Sequence, residues 1–200
     1  IQRCAVSLFN QTYKDIEYIF VDDASPDGSI DILNKVINDY PEKDVKLIHH
    51  PFNKGLPAAR NTGMAEAQGD YIFHCDSDDV MEPDMLELMM ASAKANDADM
   101  VWCDWFLTYE DNERLMRQPS YSTGLDALKG MLNGQMKYNV WNKLVRRSIY
   151  MDNHIEFPAG YSMGADMTMI RVAAHCNKAA KVDKALYHYI RTNPDAMTNV

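Results

Sequence analysis

Four short apolar runs alternate with three segments of helical pattern through the first half of the chain. That alternation restricts the fold more than any other feature. Glu17–Val21, Val45–His49, Tyr71–Cys75 and Met100–Phe106 each read as a strand. Between them, Ile32, Leu33, Val36, Ile37 and Tyr40 mark one face of a helix that Asp27 is placed to cap. Residues 55–68 carry Ala58, Ala59, Ala65 and Ala67, and a further helix starts at Pro83, a favoured first-turn residue. Strands alternating with helices predict a mainly parallel central sheet flanked by helices, an α/β fold. The chain opens on a helix-like segment from Ile1 to Gln11 with no strand ahead of it. The first strand of such a fold is therefore expected to be missing from this chain.

The second half is less regular. Residues 110–120 are polar and read as a loop or loose hairpin, and Thr123 with Asp126 resembles a capping box ahead of Leu125, Leu128, Met131 and Leu132. Residues 138–147 read as a short extended segment, Asp166–Cys176 as a helix and Lys181–Ile190 as a last strand. No repeat or low-complexity linker divides the chain, so residues 1–200 are expected to form a single domain.

Composition narrows the function. The net charge of −9 argues against nucleic acid, whose phosphates require a basic surface. No apolar run approaches the roughly 20 residues that span a bilayer. Cys4, Cys75, Cys103 and Cys176 lack metal-ligand spacing and read as buried thiols. Methionines at 85–90 and 163–169 read as core filler at helical spacing.

Two strand-like runs end in carboxylates. Asp76-Ser77-Asp78-Asp79 follows Tyr71–Cys75, and Asp22-Asp23-Ala24-Ser25-Pro26-Asp27-Gly28 follows Glu17–Val21. Clustered carboxylates repel one another and are costly to desolvate, so a cluster at a buried strand end calls for a cation, and Mg2+ and Mn2+ prefer carboxylate oxygen. Open sheets bind ligands beyond the carboxyl ends of their strands. The second run alone reads equally as a turn. Asn53-Lys54-Gly55 with Ala59-Arg60-Asn61 combines a glycine turn with cationic and amide side chains at a helix start, suited to a phosphate or a nucleotide edge.

Taken together and in order, these segments resemble family 2 glycosyltransferases. The resemblance rests on Asn10–Glu17, Val21–Ser29, Asn53-x-Gly55 with Ala59-Arg60-Asn61-x-Gly63, Asp76–Asp79 with Pro83, Trp141-Asn142-Lys143-Leu144, and residues 187–191. It implies a GT-A fold and inverting transfer of a sugar from a nucleoside-diphosphate donor, a UDP-sugar first, to a saccharide or lipid-linked acceptor. It also implies a role in cell-surface polysaccharide synthesis, in the cytoplasm or at the inner face of the membrane, where peripheral association is compatible with the sequence. Residues 1–106 would bind the nucleotide-sugar and residues 107–200 the acceptor. Asp22 or Asp23 would contact the nucleobase near Arg60, Asp76 the ribose with Ser77 beside it, and Asp78 with Asp79 would hold Mn2+ or Mg2+. The general base would be Asp166, although Ala165 stands where similar enzymes have Glu. Trp141, Lys143, His188 and Arg191 are candidates for acceptor or diphosphate contacts. Asp76-x-Asp78 also resembles the nucleophile motif of haloacid dehalogenase-like phosphatases. A binding module without activity is the non-enzymatic alternative.

Overall fold

The computed structural model describes residues 1–160 and 164–192; Met163 of the second methionine cluster lies outside them. The first half follows the expected alternation: α1 (Gln2–Phe9), β1 (Glu17–Asp22), α2 (Ser29–Asp39), β2 (Asp44–His49), α3 (Leu56–Glu66) and β3 (Tyr71–Phe73). Then come β4 (Val80–Met81), α4 (Met85–Asn96), β5 (Met100–Thr108) and β6 (Glu113–Met116). The chain continues with α5 (Gly124–Leu132), β7 (Lys143–Arg146), α6 (Arg147–Asp152), α7 (Ala165–His175) and β8 (Ala179–Ile190).

β1 and β2 pair in parallel as a two-stranded sheet. The other strands form a sheet in the order β3-β7-β5-β8-β4, with β6 paired to β5. Here the direction is mixed. β5 and β8 run parallel, while β3-β7, β5-β7, β4-β8 and β5-β6 are antiparallel. This corrects the expectation of a mainly parallel sheet. Alternation with helices fixes direction only where a helix crosses between neighbouring strands. β7 instead arrives from a loop and threads between β3 and β5, and the 110–120 segment folds back as a hairpin. β4 and α6 were not expected, being too short for periodicity to register.

Two apolar clusters hold these layers. One packs Phe9 of α1 edge-on to Tyr18 of β1 at 5.0 Å, with Leu33 and Val36 of α2. The larger one lies around the six-stranded sheet, where Met85, Met89, Met100, Trp102 and Met131 are fully buried. Thr123 caps α5 by accepting the Asp126 N–H at 3.1 Å. Asp27 lies ahead of α2, accepting the Ser29 N–H at 3.0 Å, while Gly28 holds the cap position. Cys4, Cys103 and Cys176 are buried and all four thiols are free. Among the described residues no helix is long and apolar enough to cross a membrane.

β1 and β3 have only β2 and β7, respectively, as strand partners among the described residues. A cleft of about 1470 Å³ is lined by both strands and by α1, α2 and α3.

Candidate active site

The cleft has two zones. Its trough is apolar, with Leu8, Ile16, Tyr18, Phe20 and Leu33, and its mouth is polar, with Asp22, Arg60, Asp76, Ser77 and Asp78. The mouth lies at the carboxyl ends of β1 and β3, where an open sheet presents ligands. The whole cleft exceeds the roughly 300–1,000 Å³ usual for a small-molecule site. The polar mouth alone has the mixed charge that suits a nucleotide.

Asp22 and Asp23 divide. Asp22 faces the cleft, accepts the Ser25 N–H at 2.9 Å and meets His49 Nδ1 at 2.9 Å. The His49 bond, then the Ser25 amide, hold its carboxyl below the usual range. Asp23 is committed to the next loop: it accepts the Lys54 and Gly55 amides at 2.8 and 2.7 Å and meets His50 Nδ1 at 2.7 Å. Burial alone would raise its pKa, but His50 and the two amides outweigh burial and lower it. Gly55 adopts φ +88, a backbone conformation that favours glycine, and its N–H reaches Asp23 in that geometry. His50, buried between Asp23 and Thr62 Oγ1 at 2.9 Å, ties this loop to α3. Of the two carboxylates, Asp22 is the one presented to a ligand.

The acidic loop also divides. Asp76 Oδ1 accepts from Arg60 Nη2 at 2.7 Å, and the Asp76 N–H donates to Tyr187 Oη at 3.2 Å. Asp78 is half-buried, faces the cleft and has no side-chain bond to another described residue. Burial first, then the Asp76 charge, raises its pKa. Asp79 points the other way. It is fully buried, Oδ2 receives the Tyr187 O–H at 2.7 Å and Oδ1 accepts the Ile190 N–H at 2.8 Å. Burial pushes its carboxyl up to about 8. Asp79 is therefore corrected from metal ligand to anchor: it fastens the loop to β8. Tyr187, which no motif in the sequence ties to Asp79, is the hub of that anchor.

Lys143 is likewise corrected. Its ammonium is buried and donates to Lys137 O at 2.9 Å, Asn139 O at 2.5 Å and Asn142 Oδ1 at 3.0 Å, which uses all three donors. Burial drives its pKa down to about 7. Its role is to fold the 137–142 loop. Lys143→Met is expected to cost about 2–4 kcal/mol, since it strands the buried Asn142 Oδ1 and two part-buried carbonyls. A urea midpoint lowered at constant m-value checks this.

His188 is bound at both ring nitrogens, to Glu82 and Glu113 at 2.8 Å each, and stacks on Phe106. Neither nitrogen is left for a diphosphate, which corrects that assignment too. Trp141 is buried against Tyr187 and Tyr189 at 4.6 and 5.1 Å, with Trp105 edge-on at 4.8 Å. Arg191 lines a separate hollow of about 450 Å³ with Tyr109, Asn112 and Thr192. Asp166 is exposed in the first turn of α7, where Oδ1 accepts the Met167 N–H at 2.8 Å.

His74 lies beneath the mouth, edge-on to Phe157 at 5.1 Å and Tyr150 at 6.2 Å, and its Nε2 is buried with no hydrogen-bond partner among the described residues. Burial, aided by the Arg60 charge, pushes its pKa down to about 3. The unfolded chain therefore binds a proton near pH 6.5 that the fold refuses until about pH 3. Stability is lost as pH falls through that window, by up to about 1.4 kcal/mol per pH unit. His74→Phe keeps the packing and is expected to flatten that part of the curve. Denaturant unfolding between pH 7 and 4 measures the difference.

Among the described residues no three His, Cys, Asp or Glu side chains converge as a metal cluster. Asp78 is the donor open to a cation: half-buried, facing the cleft and unpaired.

Residues 1–165 match the family model described as Glycosyl transferase family 2. EpsH of Bacillus subtilis (strain 168) is 35% identical over 199 residues, which is 94% of this chain and 56% of EpsH. The chain spans about half the length of the curated relatives it matches. Among solved structures, S. aureus TarS 1-349 in complex with UDP-GlcNAc aligns over 98% of this chain and 56% of its own, with a TM-score of 0.82 at 21% identity. Mannosyltransferase PcManGT from Pyrobaculum calidifontis, in complex with GDP-Man and Mn2+, covers 96% of this chain and 52% of its own, with a TM-score of 0.67 at 16% identity. The fold is GT-A, a mixed α/β sheet flanked by helices. The chain belongs to glycosyl transferase family 2.

Proposed function

We propose that the protein transfers a sugar from a nucleoside-diphosphate donor, a UDP-sugar first, to a hydroxyl of a saccharide or lipid-linked acceptor, with inversion. The observation that carries this reading is that Asp22, Arg60, Asp76, Ser77 and Asp78 line one cleft at the carboxyl ends of β1 and β3, with Arg60 paired to Asp76 at 2.7 Å. Asp22 would contact the base and Asp76, held by Arg60, the ribose, with Ser77 beside them. Two or more carboxylates facing a diphosphate repel it unless a cation intervenes. Asp78 would hold Mn2+ or Mg2+, whose remaining positions suit phosphate oxygens and water. Bound there, the ion would offset charge on the departing diphosphate.

Asp166 would take the proton from the acceptor hydroxyl. It is exposed, and Asn61, Phe157 and Pro158 connect its helix to the donor side. The GDP-Man bound by one structural neighbour and the UDP-GlcNAc bound by another support a nucleotide-sugar donor. Residues 1–106 would form the donor half and 107–200 the acceptor half of one domain. Surface-polysaccharide synthesis in the cytoplasm, at the inner membrane face, fits a family 2 enzyme.

Calorimetry with UDP tests the donor site. Binding that strengthens on adding Mn2+ supports it, binding without any sugar transfer leaves the inactive-module reading, and no binding with or without metal overturns the donor site. Hydrolysis of p-nitrophenyl phosphate without UDP binding would favour the phosphatase reading of Asp76-x-Asp78.

A further inference from the structure

The geometry points to Asn61 as a positioning residue that sets the Asp166 segment against the donor carboxylates. This rests on the reading of Asp166 as the base. Asn61 and Phe157 are 96 residues apart, yet they share two reciprocal bonds. Asn61 Nδ2 donates to Phe157 O at 2.8 Å, and the Phe157 N–H donates to Asn61 Oδ1 at 2.8 Å. A carboxamide completes such a pair with a backbone in one orientation only. Asp would oppose the Phe157 carbonyl, and a hydroxyl is too short to reach both groups.

The latch sits between the two halves of the site. On the donor side, Arg60 pairs with Asp76 at 2.7 Å while its guanidinium lies 5.3 Å from the Phe157 ring centroid. On the acceptor side, Pro158 presses on Gly164: a Cβ there would lie 2.4 Å from Pro158 Cγ. Gly164 is the N-cap of α7, and Thr168 fixes it by donating its N–H and its hydroxyl to Gly164 O at 3.1 and 2.9 Å. Asp166 follows two residues later. Contact therefore runs unbroken from Asp76 through Arg60 and Asn61 to Phe157, Pro158, Gly164 and the first turn that carries Asp166. Arg60 serves the donor directly, and its neighbour Asn61 serves the base through the backbone.

Asn61→Ala and Gly164→Ala cut this path at two points. Each is expected to lower kcat by about 10–100-fold, the scale of a misplaced catalytic group. Donor KM should stay within about twofold, because the Arg60–Asp76 pair is untouched. Amide exchange in Asn61→Ala should quicken at Phe157 and at residues 164–168. A stability role alone would instead lower the melting temperature with kcat and donor KM moving together, or leave kcat alone, and either result overturns the inference. Unchanged exchange at 164–168 in Asn61→Ala overturns it independently of turnover. If the wild-type protein transfers no sugar while the variant's exchange quickens, the coupling stands and the transferase reading is what fails.

Discussion

Asp166→Asn is expected to lower sugar transfer by about 10²–10⁴-fold, the range a positioned general base contributes, with UDP binding within about twofold of wild type. The structure makes this a clean substitution. The Asp166 carboxylate is exposed and its bond from the Met167 N–H at 2.8 Å survives in asparagine. The helix start loses only the interaction of a negative charge with the macrodipole, about 0.3–1 kcal/mol. A single-turnover assay separates chemistry from binding. Unchanged turnover would move the base elsewhere; a parallel loss of UDP binding would make Asp166 a donor ligand.

Asp78→Ala is expected to weaken UDP binding about 10²-fold in Mn2+ and to leave it equal or slightly tighter in EDTA. The inversion follows from charge. With a divalent ion bound Asp78 would be a ligand, and without one it would be a further anion facing a diphosphate. The same substitution should not destabilise the protein, because Asp78 has no side-chain bond to another described residue and its charged form is opposed by burial and by Asp76. Calorimetry in both conditions, with a melting curve, checks all three parts. Loss of UDP affinity in EDTA as large as in Mn2+ would remove Asp78 from metal binding.

The alternation of the first half was enough to place α1 to α4, β1 to β3 and β5, and a capping box marked α5. It did not set strand direction, since β7 enters the sheet from a loop and pairs with residues far away in sequence. The carboxyl-rich strand ends marked the region of the site, but which carboxyl turns outward depends on tertiary partners. Asp78 and Asp79 are neighbours of the same type, and only the Tyr187 hydroxyl and the Ile190 amide turn Asp79 inward. Lys143 and His188 read as candidates for acceptor or diphosphate contacts; instead the loop just ahead of Lys143 takes up its ammonium, and Glu82 and Glu113, both distant in sequence, hold His188. Asn61 stood in the motif, yet its partner is a backbone 96 residues on.

The most direct test of a nucleotide-sugar transferase is a panel of UDP- and GDP-sugars with Mn2+ and a mixture of saccharide and lipid-linked acceptors, read as nucleoside diphosphate released. Metal-dependent release of UDP from one donor, lost in Asp166→Asn and in EDTA, is the predicted result. No release from any donor, with phosphate freed from p-nitrophenyl phosphate instead, would contradict it.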